Sequence, residues 1–178
     1  MSTELPSSVT LLGGRATREG TRRYVDRMLD GERPAVADHF ARPDELWLSS
    51  IALGTLRGEP GGVDDLLYRS VLADALTLGL NVVNTALSDR YQTSERAIGH
   101  ALRRALHEGV IERDEVVIVS KGGALTPDAE RAHDYTSAQR DLVSTYLDSG
   151  ILDPSEVTRG HSIAPRFLLD QIARSRRN

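Results

Sequence analysis

The 178 residues include no cysteine, which removes disulfides, thiolate nucleophiles, sulfur-ligated zinc and iron–sulfur centres from consideration. The compartment therefore cannot be read from redox chemistry. Long apolar runs are missing too: none approaches the roughly 18 residues that a membrane helix needs. "MSTELPSSVT" has no basic stretch followed by an apolar one, so no signal peptide is expected. A cytoplasmic location without a membrane partner follows as the expectation. Neither GxGxxG after a strand nor GxxxxGK[ST] occurs, and the dinucleotide and nucleoside-triphosphate fingerprints are absent with them. The formal net charge is only -4, giving no general pull toward nucleic acid. Arg174, Arg176 and Arg177 read as the last turn of a helix, where cations meet the macrodipole, with no aromatic platform for bases beside them.

What is present is enough apolar residue, 39% of the chain, for one core. Residues 1–16 are a polar lead-in containing "LLGG". Tyr24, Val25, Met28 and Leu29 then recur at helical spacing, with Thr17 as N-cap and Gly31 as stop. "LWLSSIA", Leu46–Ala52, reads as a strand entering a glycine-rich loop, Gly54–Thr55 and Gly58–Gly62. Leu67, Val71, Ala75 and Leu78 give the next helix a stripe that Gly79 closes. Leu80–Val83 reads as a strand, Asn84–Tyr91 as its loop, and Ser94 as the cap of a helix with Ala97, Ile98, Ala101, Leu102, Ala105 and Leu106 inward. "EVVIVS" reads as a strand covered on both faces. Helices are expected over Thr136–Asp148 and Pro165–Arg174.

Strands alternating with helices predict a parallel sheet with right-handed crossovers and loops gathered at the strands' C-terminal ends. Function belongs after Ala52, Val83 and Ser120. The alternation fits both an open doubly wound sheet and part of a (β/α) barrel. His133, Asp134 and Tyr135, with Asp128 and Glu130 nearby, fit a metal or acid–base site in principle and a solvated polar loop more simply. His161, ahead of a proline-started helix, reads as a capping or packing group and is also the histidine best placed to line the same mouth. His39, His100 and His107 read as structural, Ser94 as a cap rather than a nucleophile, and Trp47 as core.

Four segments together resemble the N-terminal part of the aldo-keto reductase family: "SSIALGTLRG", "GLNVVNTALSDRYQTSERAIGHAL", "RDEVVIVSKGG" and "APRFLLDQIARSRRN". The resemblance implies an α/β fold, a partial TIM-barrel-like (β/α) unit with three or four parallel strands and an N-terminal helical lead-in. The lead-in covers 1–45 and the reductase-like part 46–178. In that family a tyrosine protonates the nascent alkoxide, an aspartate and a lysine tune it, and a histidine orients the carbonyl. The usual Asp-Thr-Ala-x-x-Tyr has Asn84 at the aspartate position and Asp89 at the tyrosine position. Lys121 of "VSKGG" alone matches, and the histidine would fall beyond Asn178, as would the later nicotinamide-contacting loops.

Asn84 can accept a hydrogen bond from Lys121 but brings no charge. Asp89 is expected on the same face, in reach of an ion pair with Lys121, and suits base chemistry better than proton donation. Tyr91 would replace the lost phenol only if the loop departs from extended alternation. A complete barrel takes ~250 residues, with ~200 as a floor, and open sheet edges are normally covered. A homo-oligomer or a second subunit is therefore expected as a partner. The function expected is non-redox proton transfer, as isomerisation, cyclisation or dehydration of a small carbonyl metabolite, using Asp89, Lys121, Asn84, Tyr91 and His161. No cofactor is expected on this chain alone, and NADP only if another chain completes the site. Two alternatives stand beside this: one chain of a split NAD(P)H-dependent reductase, and a non-catalytic truncated homologue or scaffold subunit.

Overall fold

Thr17 accepts the backbone N–H of Gly20 on its side-chain oxygen and opens helix α1, Arg18–Asp30, so the cap and stop read from sequence both hold. The computed structural model describes residues 11–31 and 34–178; the first ten lead-in residues lie outside them. Tyr24 and Val25 are the buried face of α1. The Tyr24 hydroxyl donates to the backbone oxygen of Leu76 at 2.7 Å, and burial pushes that phenol's pKa up.

The expected strand Leu46–Ala52 is two pieces. Leu48–Ser49 (β2) pairs antiparallel with Phe40–Ala41 (β1), while the parallel strand that follows is Leu53–Gly54 (β3). The division has a local cause. The Ser49 N–H is taken by the side chain of Asn81 at 2.9 Å, and the Ser49 hydroxyl donates to Ile51 O at 2.7 Å, folding the chain between them. β1 pairs with β2 across residue 45, and Tyr24 shares a core with Leu72, Val83 and Ile98, so the lead-in helix packs onto the elements that follow it.

β3, Val82–Asn84 (β4) and Val117–Val119 (β5) form a three-stranded sheet in the order β3-β4-β5, with Gly54 opposite Asn84 and Asn84 opposite Val119. Both pairings are parallel, as the alternation of elements requires. Helix α2, Gly62–Thr77, buries Leu72, Ala75 and Leu76. The expected stripe was rotated: Leu67 is 56% and Leu78 64% exposed, because α2 meets the core only through its C-terminal half. Helix α3, Thr93–His107, buries Ala97, Ile98, Ala101, Leu102 and Ala105 as expected.

Beyond β5 a second, smaller core holds Tyr146, Leu152, Ala164 and Phe167, the two rings meeting edge-on at 5.2 Å. Helix α4, Tyr135–Leu142, runs on through a π-helical turn, Val143–Asp148. Helix α5, Pro165–Arg177, follows with proline in its first turn. No described helix is long and apolar enough to cross a membrane.

Candidate functional site

The C-terminal ends of the three parallel strands meet at a cavity of about 440 Å³. Asn84, Asp89, Lys121 and His161 all line it, joined by Gly54 and Thr55 from the end of β3. At Gly54 a Cβ would meet nothing within 4 Å, so the backbone faces open space there. Ala86, Leu87 and Ala124 supply apolar wall.

Lys121 donates from Nζ to Asn84 Oδ1 at 2.6 Å and to the backbone oxygen of Thr85 at 2.5 Å. The amide thus accepts from the lysine, as its chemistry allows. The expected ion pair is not formed: among the described residues no carboxylate lies within 4.0 Å of the ammonium. Asp89 is held elsewhere. Its Oδ2 lies 2.8 Å from Thr55 Oγ1, which lies 2.8 Å from Thr85 Oγ1. A hydroxyl has one proton, so Thr55 gives its own to the carboxylate and receives that of Thr85. This threonine relay keeps Asp89 buried and unpaired with Lys121, while Asp89 Oδ1 accepts no hydrogen bond among the described residues.

Tyr91 is not in the cavity; it is 41% exposed. The loop is neither extended nor free to swing. Asp89–Gln92 is a tight turn in which Arg90, Tyr91 and Gln92 have φ of 49°, 54° and 75°, a left-handed run that non-glycine residues adopt at a cost. Arg90 holds it in place. Its guanidinium donates to Glu59 O from both Nε and Nη2, pairs with Asp65 at 2.5 Å and lies 4.9 Å above the Tyr68 ring. The turn also moves the start of α3 back to Thr93, with Gln92 as N-cap. Ser94 is therefore no cap. It is wholly buried and donates to Thr55 O at 2.8 Å, tying α3 to the end of β3.

His161 reaches the cavity from a small bridge between Gly122–Thr126 and Thr158–Ser162, in which Ser162 N–H donates to Gly123 O and Leu125 N–H to Gly160 O. Its Nδ1 is 3.1 Å from the Arg159 backbone oxygen. A carbonyl can only accept, so Nδ1 carries the proton and Nε2 keeps its lone pair when the ring is neutral. Gln171 fastens this wall: Gly123 N–H donates to its Oε1 at 2.5 Å and its Nε2 donates to Ala124 O at 2.6 Å. Sequence reading missed Thr55, Thr85, Arg90 and Gln171. The only signal for them was position, each lying in or opposite a loop at a strand's C-terminal end.

The other polar group considered has a structural role. Asp134 caps α4 through Ser137. Burial opposes ionisation of Asp128, but the Arg96 guanidinium and the Glu130 N–H outweigh it and hold that carboxyl below the ordinary aspartate range. No set of three metal-ligating side chains occurs among the described residues.

No family model matches the chain, and no curated protein matches it. Among solved structures it is similar to a Pseudomonas aeruginosa protein provisionally assigned as an aldo-keto reductase, with 29% identity over 68% of this chain and a TM-score of 0.35. The match covers 43% of that protein, so the chain spans less than half its length.

Proposed function

We propose that the Lys121 cavity moves protons at the carbon next to a carbonyl of a small metabolite, giving isomerisation, cyclisation or dehydration, and that this chain transfers no hydride by itself. One observation carries the reading: an ammonium, a carboxylate and an imidazole line a single cavity, each with a position left over for a ligand. Lys121 has a third N–H to donate to the carbonyl oxygen. Asp89 Oδ1 takes the proton from the neighbouring carbon. The C–H electron pair becomes a C=C bond as the C=O pair moves onto the oxygen facing Lys121, and the proton then returns to a different carbon. In an α-hydroxycarbonyl substrate His161 Nε2 receives the hydroxyl proton and passes it to the former carbonyl oxygen as the carbon-bound proton returns to the former carbonyl carbon, which completes an isomerisation; in a β-hydroxycarbonyl substrate the proton held by Asp89 goes to the departing hydroxyl, which leaves as water. General acid–base help of this kind contributes about 10²–10⁴ in rate.

The test is exchange of carbon-bound hydrogen for deuterium in a panel of small aldehydes and ketones, followed by proton NMR in D₂O. Exchange above the buffer rate that disappears in Lys121→Ala supports the proposal. No protein-dependent exchange on any member, or equal exchange in Lys121→Ala, contradicts it.

A second reading, a split reductase, has its own support in the sheet. β3 and β5 each have one edge without a strand partner among the described residues, and Leu56, Val63 and Leu66 are exposed next to β3 and along α2. Open edges and apolar faces invite a covering chain, which would also have to hold NADP. Native mass measurement with NADPH titration tests it: a monomer that binds no NADPH, alone or mixed with a co-expressed partner, removes this reading.

A further inference from the structure

We propose that a second cavity, separate from the Lys121 cavity, binds an organic anion with a compact apolar body. It encloses about 480 Å³ between α3, α5, the end of β5 and residues 11–14. Side-chain alternation keeps the two apart: Thr85, Ile118 and Ser120 line this one, and Asn84, Ala86 and Lys121 the other.

Leu12, Ile98, Leu102 and Ile118 give its wall apolar surface, and Arg103, Arg113 and Arg176 line it too, with Arg113 donating one guanidinium N–H to Val116 O at 2.8 Å. Among the described residues none of these arginines has a carboxylate within 4.0 Å. Arg103 and Arg113 are half-buried, and burial pulls the Arg113 pKa down, with Asp114 opposing it, as expected of a cation taken from water without a contacting counter-charge. The side-chain carboxylate in the wall, Glu95, is already engaged. Its Oε1 accepts from Ser120 and Ser175, and its Oε2 from Asn178.

Three cations still exceed the engaged Glu95 carboxylate and the Asn178 main-chain carboxylate, which favours an anion, and the planar guanidinium fork matches carboxylate or phosphate oxygens. The leucine and isoleucine side chains ask for hydrocarbon beside that group, so an inorganic ion would use only half of the site.

The test uses 1-anilinonaphthalene-8-sulfonate, an apolar body with one anionic group, titrated by fluorescence into the full chain. Octanoate and octyl phosphate are the competitors that distinguish the two anionic groups. Arg103 and Arg176 make no side-chain hydrogen bonds within the described residues, so Arg103→Ala/Arg176→Ala should keep the wild-type melting curve. The expected result is at least tenfold weaker binding in that variant, binding between the two in Arg103→Lys/Arg176→Lys, which keeps the charge and loses the fork, no change in Lys121→Ala, and displacement of the probe by at least one competitor. The Lys121→Ala arm separates this site from the proton-transfer reading. Three results would overturn the proposal: equal affinity in the alanine variant, displacement by inorganic phosphate as strong as by either competitor, or equal displacement by neutral N-phenyl-1-naphthylamine.

Discussion

Lys121 Nζ lies 2.6 Å from Asn84 Oδ1, so the ammonium at the cavity's mouth is held by a neutral amide and one backbone oxygen rather than by a carboxylate. Removing the amide should loosen the lysine without disturbing the fold, because Asn84 is exposed and such surface changes stay within about 0.5 kcal/mol. Asn84→Leu is predicted to lower deuterium exchange about tenfold, one misplaced hydrogen-bond donor's worth, with an unchanged melting curve. Unchanged exchange would mean that Asn84 does not position Lys121.

The left-handed run at Arg90–Gln92 is stored strain that the buried Arg90 guanidinium offsets. Its side chain is 1% exposed, and removing one member of a buried pair costs about 3 kcal/mol. Arg90→Ala should therefore lower the urea unfolding free energy by about that amount. Tyr91→Gly relieves ~1–2 kcal/mol of steric strain against ~0.5–1 kcal/mol of added chain entropy. It is predicted to be neutral or stabilising by up to about 1 kcal/mol; a clear loss would show that the tyrosine ring makes contacts of its own.

Acid should weaken the attachment of α1. Burial works against the Glu115 charge, but Arg27, the Glu112 N–H and Arg23 outweigh it and hold the Glu115 carboxyl below the usual range. A depressed carboxyl stabilises the fold above its unfolded pKa, about 4.3, and that contribution is lost as pH falls through the lower, folded value. Arg27 is 43% exposed, so solvent screens part of the pair. Glu115→Gln is predicted to cost about 1–3 kcal/mol near neutrality and progressively less in acid. Urea midpoints across that range check it, and a constant difference would contradict it.

Gln171 spans two backbone groups of the loop that carries Lys121's neighbours while itself almost wholly buried. Gln171→Leu leaves a part-buried N–H and a part-buried C=O without their side-chain partner, which costs roughly 1 kcal/mol or more. Chemical denaturation measures this; a loss under about 0.5 kcal/mol, the scale of a surface change, would mean that water replaces the amide.

The elements that announced themselves in sequence are those whose local chemistry suffices. Thr17 caps α1 and Gly31 ends it; the apolar stripe of α3 is inward because a single face is covered. Where tertiary contacts decide, sequence reading went astray. The Leu48–Ser49 run breaks because Asn81, more than thirty residues away, takes the Ser49 N–H. The stripe on α2 is turned because only Leu72, Ala75 and Leu76 find a core. At the site, Asn84, Asp89, Lys121 and His161 were legible from the loops that hold them, and the structure brings them to one cavity. Tyr91 was not, because three positive φ values in a row at Arg90–Gln92 have no signature without glycine. The absent Asp89–Lys121 ion pair was equally hidden, since Thr55, more than thirty residues away and itself bonded to Thr85, takes the carboxylate.

The role of Asp89 as the base is tested most directly by comparing deuterium incorporation at the carbon beside the carbonyl for wild type and Asp89→Asn, in one buffer, with melting curves showing both folded. Loss of the base is predicted to slow incorporation by about 10² or more. Incorporation at the same rate in the two proteins would show that the carboxylate buried against Thr55 moves no proton.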